Sequence, residues 1–180
     1  MPPHEKWQTD LKSDFLLQVS KELVKKSRDF GINLAICGGV AVNLLSDFLK
    51  QDSPRRWKHK DIDLVVPLSQ FATAIAFFKS LGYIKAVVSY KRRRLVKNHV
   101  RFVGEVYKKK VLVDVYGLSK VPTIEIEKDN NRILLLSPRI ELENWKDRQE
   151  RVGAKPSISL SIKLLQYTVR NKIFQEKEIT

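Results

Sequence analysis

Apolar residues recur every four positions near the start of the chain, at Leu11, Phe15, Val19 and Leu23. This spacing predicts an amphipathic helix from Thr9 to about Phe30, ended by Gly31. "INLAI" is a short apolar run suited to a buried strand. In "GGVAVNLLSDFLK", Val42, Leu45 and Leu49 return to helical spacing. The polar stretch "QDSPRRWKHK", residues 51–60, is a loop broken by Pro54. "DIDLVV" alternates and is rich in branched residues, so it predicts a strand closed by Pro67. Ser69 is placed to cap the next helix, "QFATAIAFFKSL", whose Phe71, Ala74, Ile75 and Phe78 share a face before Gly82 stops it. Residues 83–136 are β-rich, with "YIKAVVSY", "RLVKNHVRFV", "VYKKKVLVDVYG" and "NRILLLS" as strands and "KDNN" as a turn. Helical patterning returns after Pro138 and again after Pro156, where Ile158, Ile162, Leu165 and Val169 fall on one face.

The order predicts an α+β domain, a mixed sheet with flanking helices over residues 1–136. A helical C-terminal extension, 137–180, is expected to pack on the same domain. At 180 residues and 43% hydrophobic content, the chain has enough material for one sizeable core. No apolar run approaches the ~20 residues that span a bilayer, so no membrane partner is expected. "MPPHEKWQTD" lacks the apolar segment of a signal peptide. The single cysteine, Cys37, cannot form an internal disulfide, and its apolar flanks indicate burial. A cytoplasmic protein is the expectation.

Charge changes the picture. Thirty-four Lys and Arg against 20 acidic residues give +14. Residues 85–120 hold eleven of the basic residues and two acidic ones, a local excess of +9. Such a surface suits polyanionic partners, although a solvated basic strand face accounts for the charge equally well.

The candidate chemistry lies in the carboxylates. Asp61 and Asp63 alternate with Ile62 and Leu64, so their side chains share one strand face with Cα atoms roughly 6.5 Å apart. A divalent cation offsets the repulsion between two such carboxylates, and oxygen ligands suit Mg²⁺. Taken alone, a D-x-D pair reads better as a strand end reaching solvent. Asp114 alters that balance, because it is the one acidic residue in the basic and apolar strand "KKKVLVDVYGL". If that strand lies beside "DIDLVV", three carboxylates converge, the set required by two metals about 3.5–4 Å apart.

Gly38-Gly39 opening a helix, a strand with paired aspartates and a later strand with a lone aspartate together resemble the DNA polymerase β-type nucleotidyltransferase superfamily. "LAICGGVAVNLL…RRWKHKDIDLVVP" is most similar to the small aminoglycoside and lincosamide nucleotidyltransferases. It is also similar to the minimal nucleotidyltransferases and the abortive-infection toxins. The resemblance covers about residues 32–116. It implies that Gly38, Gly39 and Val40 hold the phosphates of a nucleoside triphosphate at a helix N-terminus. It implies that Asp61 and Asp63 bind Mg²⁺, and that Asp114 binds a second metal or takes the acceptor proton. The acceptor hydroxyl would attack the α-phosphate and release pyrophosphate. Two features depart from the family pattern: Gly39 and Val40 stand where many members have Ser, and the loop before Asp61 is longer. Its Arg55, Arg56, Lys58 and Lys60 either reach the triphosphate or are solvated.

His59 flanks the aspartates as a similar basic-His run does in the aminoglycoside enzymes, yet reads more simply as a loop residue. His99 sits mid-strand without metal-ligand spacing and receives no role. "KRRRLVK", residues 91–97, reads as a hairpin turn with solvated charge, or as a track for a nucleic-acid backbone. Trp145, Asp147 and Arg148 read as surface or packing residues, and Lys163 as a weak candidate for the triphosphate. The basic surface disfavours a polycationic acceptor within the reach of screening. An anionic acceptor such as RNA, or an acidic partner protein, fits better, and a neutral small-molecule hydroxyl stays open. Enzyme and non-catalytic nucleotide- or RNA-binding module both remain, with all three carboxylates favouring the enzyme.

Overall fold

The computed structural model describes residues 13–51, 60–86 and 98–180. Among them are five α-helices: α1 (Ser13–Asp29), α2 (Gly38–Leu49), α3 (Phe71–Ser80), α4 (Pro138–Val152) and α5 (Pro156–Arg170). The strands are β1 (Ala35–Cys37), β2 (Ile62–Pro67), β3 (Ile84–Lys85), β4 (His99–Val106), β5 (Lys109–Leu118), β6 (Val121–Lys128), β7 (Asn131–Leu136) and β8 (Lys177–Ile179). They form one mixed sheet in the order β3-β4-β5-β2-β1-β7-β6-β8. The α+β architecture expected from the pattern is therefore present. Arg55, Arg56, Lys58, His59 and the "KRRRLVK" segment lie outside the described residues.

Alternation along the central strands divides the sheet into two faces. Ile36, Ile62, Leu64, Val66, Phe102, Val111, Val113 and Val115 turn toward the large core. There they meet Leu16, Leu23 and Val24 of α1, Val42 and Leu45 of α2, and Phe77 and Phe78 of α3. Phe78 stacks on Phe102 with ring centroids 5.0 Å apart. The intervening residues turn to the opposite face, where Ala35, Cys37, Val65, Val121 and Leu136 form a smaller cluster. Helix α4 supplies Trp145 to the large core and Ile140 to the smaller cluster. Trp145 is thus a packing residue, with the Arg148 guanidinium 5.3 Å from its ring centroid.

Several local expectations shift. Ser69 falls within a 3-10 turn, Leu68–Gln70, and α3 is preceded by Gln70 without a side-chain cap. The run "VYKKKVLVDVYG" contains a two-residue hairpin at Tyr107 and Lys108, both at positive φ (49° and 61°). That geometry matches the twist of paired strands, although it usually recruits Gly or Asn. The patterning named no strand at β6, and the C-terminal segment, besides its helices, adds β8 along β6. No helix among the described residues is long and apolar enough to cross a membrane.

Candidate active site

The sheet face opposite the large core carries the chemistry. Strands β2 and β5 run parallel with Asp63 directly opposite Asp114, so the two carboxylates converge as the alternation required. Strand β1 runs antiparallel to β2 on its other side and sets Cys37 opposite Asp63. The chain then turns at Gly38 into α2, which brings the first helical N–H groups beside the carboxylates.

Gly38 explains why a glycine opens this helix. Its φ is +67°, and a Cβ there would lie 2.5 Å from Asp63 Oδ2. Any side chain would meet both the left-handed backbone and the carboxylate. The Gly38 N–H donates to Glu141 Oε1 at 2.7 Å. Helix α2 has no acidic residue in its first turn and no side-chain cap from Cys37, so this carboxylate from α4 is the anion held at its N-terminus. Glu141 is 3% exposed. Burial raises its pKa to about 7, against lowering hydrogen bonds from Gly38 and the Trp145 side chain. Val40 is buried in the large core, which leaves only its backbone to meet a phosphate. Lys60 is exposed just before Asp61, and Lys163 is exposed on α5.

Two residues of β4 complete the site. Arg101 lies directly opposite Asp114 across the β4–β5 ladder. Its Nε donates to Asp114 Oδ1 at 2.8 Å, and one of its terminal nitrogens, Nη2, donates to Asp114 Oδ2. The same Nη2 also donates to Asp61 Oδ2 at 2.8 Å. One guanidinium nitrogen therefore bridges two of the three carboxylates. His99, which sequence reading left without a role, has its Nε2 2.6 Å from Asp114 Oδ1. The His99 ring stacks on Tyr116 at a centroid distance of 4.6 Å. The alternation "HVRFV", with apolar Val100 and Phe102 on the core side, is the signal that marks His99 and Arg101 as site-facing.

The three carboxylates experience different fields. Burial alone would raise Asp114, but the Arg101 and His99 hydrogen bonds hold its pKa below the ordinary value. Asp63 has no ion pair among the described residues, and its nearest side-chain donor is the Tyr116 hydroxyl at 3.4 Å. Its pKa is pushed well up by burial, then by the charges of Asp61, Asp114 and Glu141. Tyr116 is pushed up by burial and by Asp63 and Asp114. Cys37 is pushed up by burial and by Glu141 and Asp63, so its thiol stays protonated and inert.

These donors bear on the divalent metal that this type of site implies. Asp61 and Asp63 supply hard oxygen ligands on one strand face, and two carboxylates completed by phosphates and water suit one Mg²⁺. Among the described residues, no three His, Cys, Asp or Glu side chains are grouped to hold an ion. The expected convergence of three carboxylates onto two metals therefore meets an arginine seated between Asp61 and Asp114.

No family model matches the chain, and no curated protein matches it. Solved structures do. A nucleotidyltransferase-like antigenic protein from Paracoccidioides brasiliensis superimposes with a TM-score of 0.61 at 18% identity, over 86% of this chain and 77% of that one. The antibiotic-resistance factor ANT(2'')-Ia gives 0.58 at 16% identity, over 90% and 88%. The lincosamide antibiotic adenylyltransferase LnuA, in its lincomycin-bound structure, gives 0.53 at 14% identity, over 86% and 95%. At these identities the likeness speaks for the backbone, and it agrees with the glycine turn and the aspartates in order. The chain has the DNA polymerase β-type nucleotidyltransferase fold.

Proposed function

We propose that the protein transfers a nucleoside monophosphate from a nucleoside triphosphate to an acceptor hydroxyl. The observation that carries this reading is Asp63 set opposite Asp114 beside the Gly38 turn at the α2 N-terminus, with Asp61 joined to Asp114 through Arg101. In the reaction the acceptor oxygen bonds to the α-phosphorus, the bond to the bridging β-phosphate oxygen breaks, and pyrophosphate leaves. Divalent metal held by Asp61 and Asp63 would neutralise charge on the triphosphate and the leaving group.

The chain's own residues supply the rest. Gly39 and the backbone of Val40 offer N–H groups to phosphate oxygens, at a helix end whose Gly38 N–H already binds a carboxylate. Arg101 holds Asp114 in one orientation through two nitrogens, and His99 adds a contact to the Oδ1 that Arg101 Nε also binds. Oδ1 of Asp114 thus receives two donors and Oδ2 receives one. A lone pair on Oδ2 is left to take the acceptor proton. Arg56, Lys58 and Lys60 are proposed as further contacts to the triphosphate.

A net charge of +14 supports an anionic acceptor such as an RNA end or an acidic partner protein over a polycation. A second reading, a nucleotide- or RNA-binding module without catalysis, is favoured by one observation: Arg101 and His99 engage both oxygens of Asp114. One assay separates the two. Purified protein is given Mg²⁺, each labelled triphosphate and cell extract, and pyrophosphate release and the destination of label are followed. Label in RNA, protein or a small molecule names the acceptor. Binding of triphosphate without pyrophosphate release would overturn the enzymatic reading.

A further inference from the structure

The bridging arginine carries a consequence for how many metals the site accepts. Arg101 reaches Asp61 and Asp114 with the same terminal nitrogen. A cation ligated by those two oxygens would have to occupy the space that this nitrogen fills. The guanidinium is not loosely placed: its side chain is 16% exposed, and Asp114 is 2% exposed. Register fixes it as well. Arg101 pairs with Asp114 and Phe102 with Val113 across the hairpin, and Phe102 and Val113 are fully buried in the core. A guanidinium keeps its charge at every accessible pH, and a two-nitrogen grip on a carboxylate is strong and directional. Mg²⁺ gives up its waters reluctantly and settles for one or two carboxylates where phosphates complete the shell.

We propose that Arg101 stands in for one of the two cations, so that the protein binds a single divalent metal through Asp61 and Asp63 while the guanidinium stays between Asp61 and Asp114. This rests on the nucleotidyl-transfer reading of the site. It removes Asp114 from the metal ligands and makes it the anchor of a built-in positive charge. A fixed positive charge is then held between Asp61 and Asp114, where a second metal would otherwise bind.

The test counts metals directly. Mn²⁺ alone is titrated into the full chain, and bound ions are counted by electron paramagnetic resonance and calorimetry. Wild type should bind one Mn²⁺. Arg101→Gln should bind two, Arg101→Gln with Asp114→Asn should return to one, and Arg101→Lys, which keeps the charge, should remain at one. Circular dichroism checks that each variant is folded. If the glutamine variants do not fold, the wild-type count decides, together with the Arg101 Nε–H resonance under Mg²⁺ titration. That resonance should stay hydrogen-bonded at saturating Mg²⁺. Two Mn²⁺ on wild type, one on folded Arg101→Gln, or loss of the Nε–H signal on adding Mg²⁺ would overturn the inference. Pyrophosphate release by wild type is scored separately. A transferase that binds two metals fails only this inference, whereas a protein that binds no Mn²⁺ and releases no pyrophosphate fails the functional reading as well.

Discussion

Asp63 and Asp114 face each other across two parallel strands, yet only Asp114 has a cationic partner among the described residues. One carboxylate is held charged by Arg101 and His99. The other sits among negative charges with a hydroxyl as its nearest donor. Two identical side chains in register are thereby given opposite proton affinities.

Removing the unpaired charge should stabilise the metal-free protein. The raised pKa of Asp63 means that the folded state holds a proton more tightly than the unfolded state, so stability falls as pH rises above the ordinary carboxylate range. Asp63→Asn removes that penalty. In EDTA its melting temperature should exceed wild type by an amount that grows with pH, at about 2–4 °C per kcal/mol for a domain of this size. Nucleotide transfer should be abolished. A mutant less stable than wild type at every pH would contradict the charge environment assigned to Asp63.

Glu141 gives a second pH signature. Its pKa moves from 4.5 to about 7 on burial. Between those values the folded chain binds more protons than the unfolded one, and stability declines through that window as pH rises. Glu141→Gln keeps an oxygen for the Gly38 N–H and loses the charge. Relative to wild type it should gain on the order of 2–3 kcal/mol between about pH 5 and about pH 8. Thermal melts across that range provide the check, and a constant difference would show that Glu141 ionises normally.

Gly38 and Gly31 allow backbone strain to be separated from contact with Asp63. Both have φ close to +67°, but a Cβ at Gly31 meets nothing within 4 Å, whereas at Gly38 it meets Asp63 Oδ2 at 2.5 Å. Gly31→Ala should cost roughly 1 kcal/mol for the left-handed backbone alone. Gly38→Ala should cost more, and the double change Gly38→Ala with Asp63→Ala should recover part of the excess in a mutant cycle. Equal costs at the two glycines would place no constraint on the approach of α2 to Asp63.

The acceptor is tested through salt. If the basic segment guides RNA, neutralising Arg92, Arg93 and Arg94 should weaken binding alike for all sequences. The slope of log affinity against log salt should flatten by about 0.7 for each lost phosphate contact on a single strand. Identical slopes for wild type and the triple variant would return these arginines to solvated surface.

Much of this site could be read in the chain because alternation in a strand is a local signal. Asp61, Asp63 and Asp114 announce their common face against Ile62, Leu64 and Val113. Arg101 and His99 acquire meaning only when β4 pairs with β5, and that pairing depends on a turn at Tyr107 and Lys108 that contains neither glycine nor asparagine. Glu141 is separated from Gly38 by 103 positions and sits in a helix so rich in charge that its sequence indicates solvent. The strand β6 mixes Pro122 and acidic residues into its pattern, so it carries little of the signal that β2 does. What stayed hidden was long-range pairing, not residue chemistry.

The hairpin at Tyr107 and Lys108 also sets what kind of hereditary change this protein can absorb. Because side chains alternate, a length change in that turn that slipped β4 by one residue would exchange its faces and drive Arg101 into the core while Phe102 covered the carboxylates. Single substitutions along β4 alter either packing or chemistry, one at a time. A one-codon deletion there would remove both at once. In that short, glycine-free turn, sequence length should therefore be constrained more tightly than residue identity.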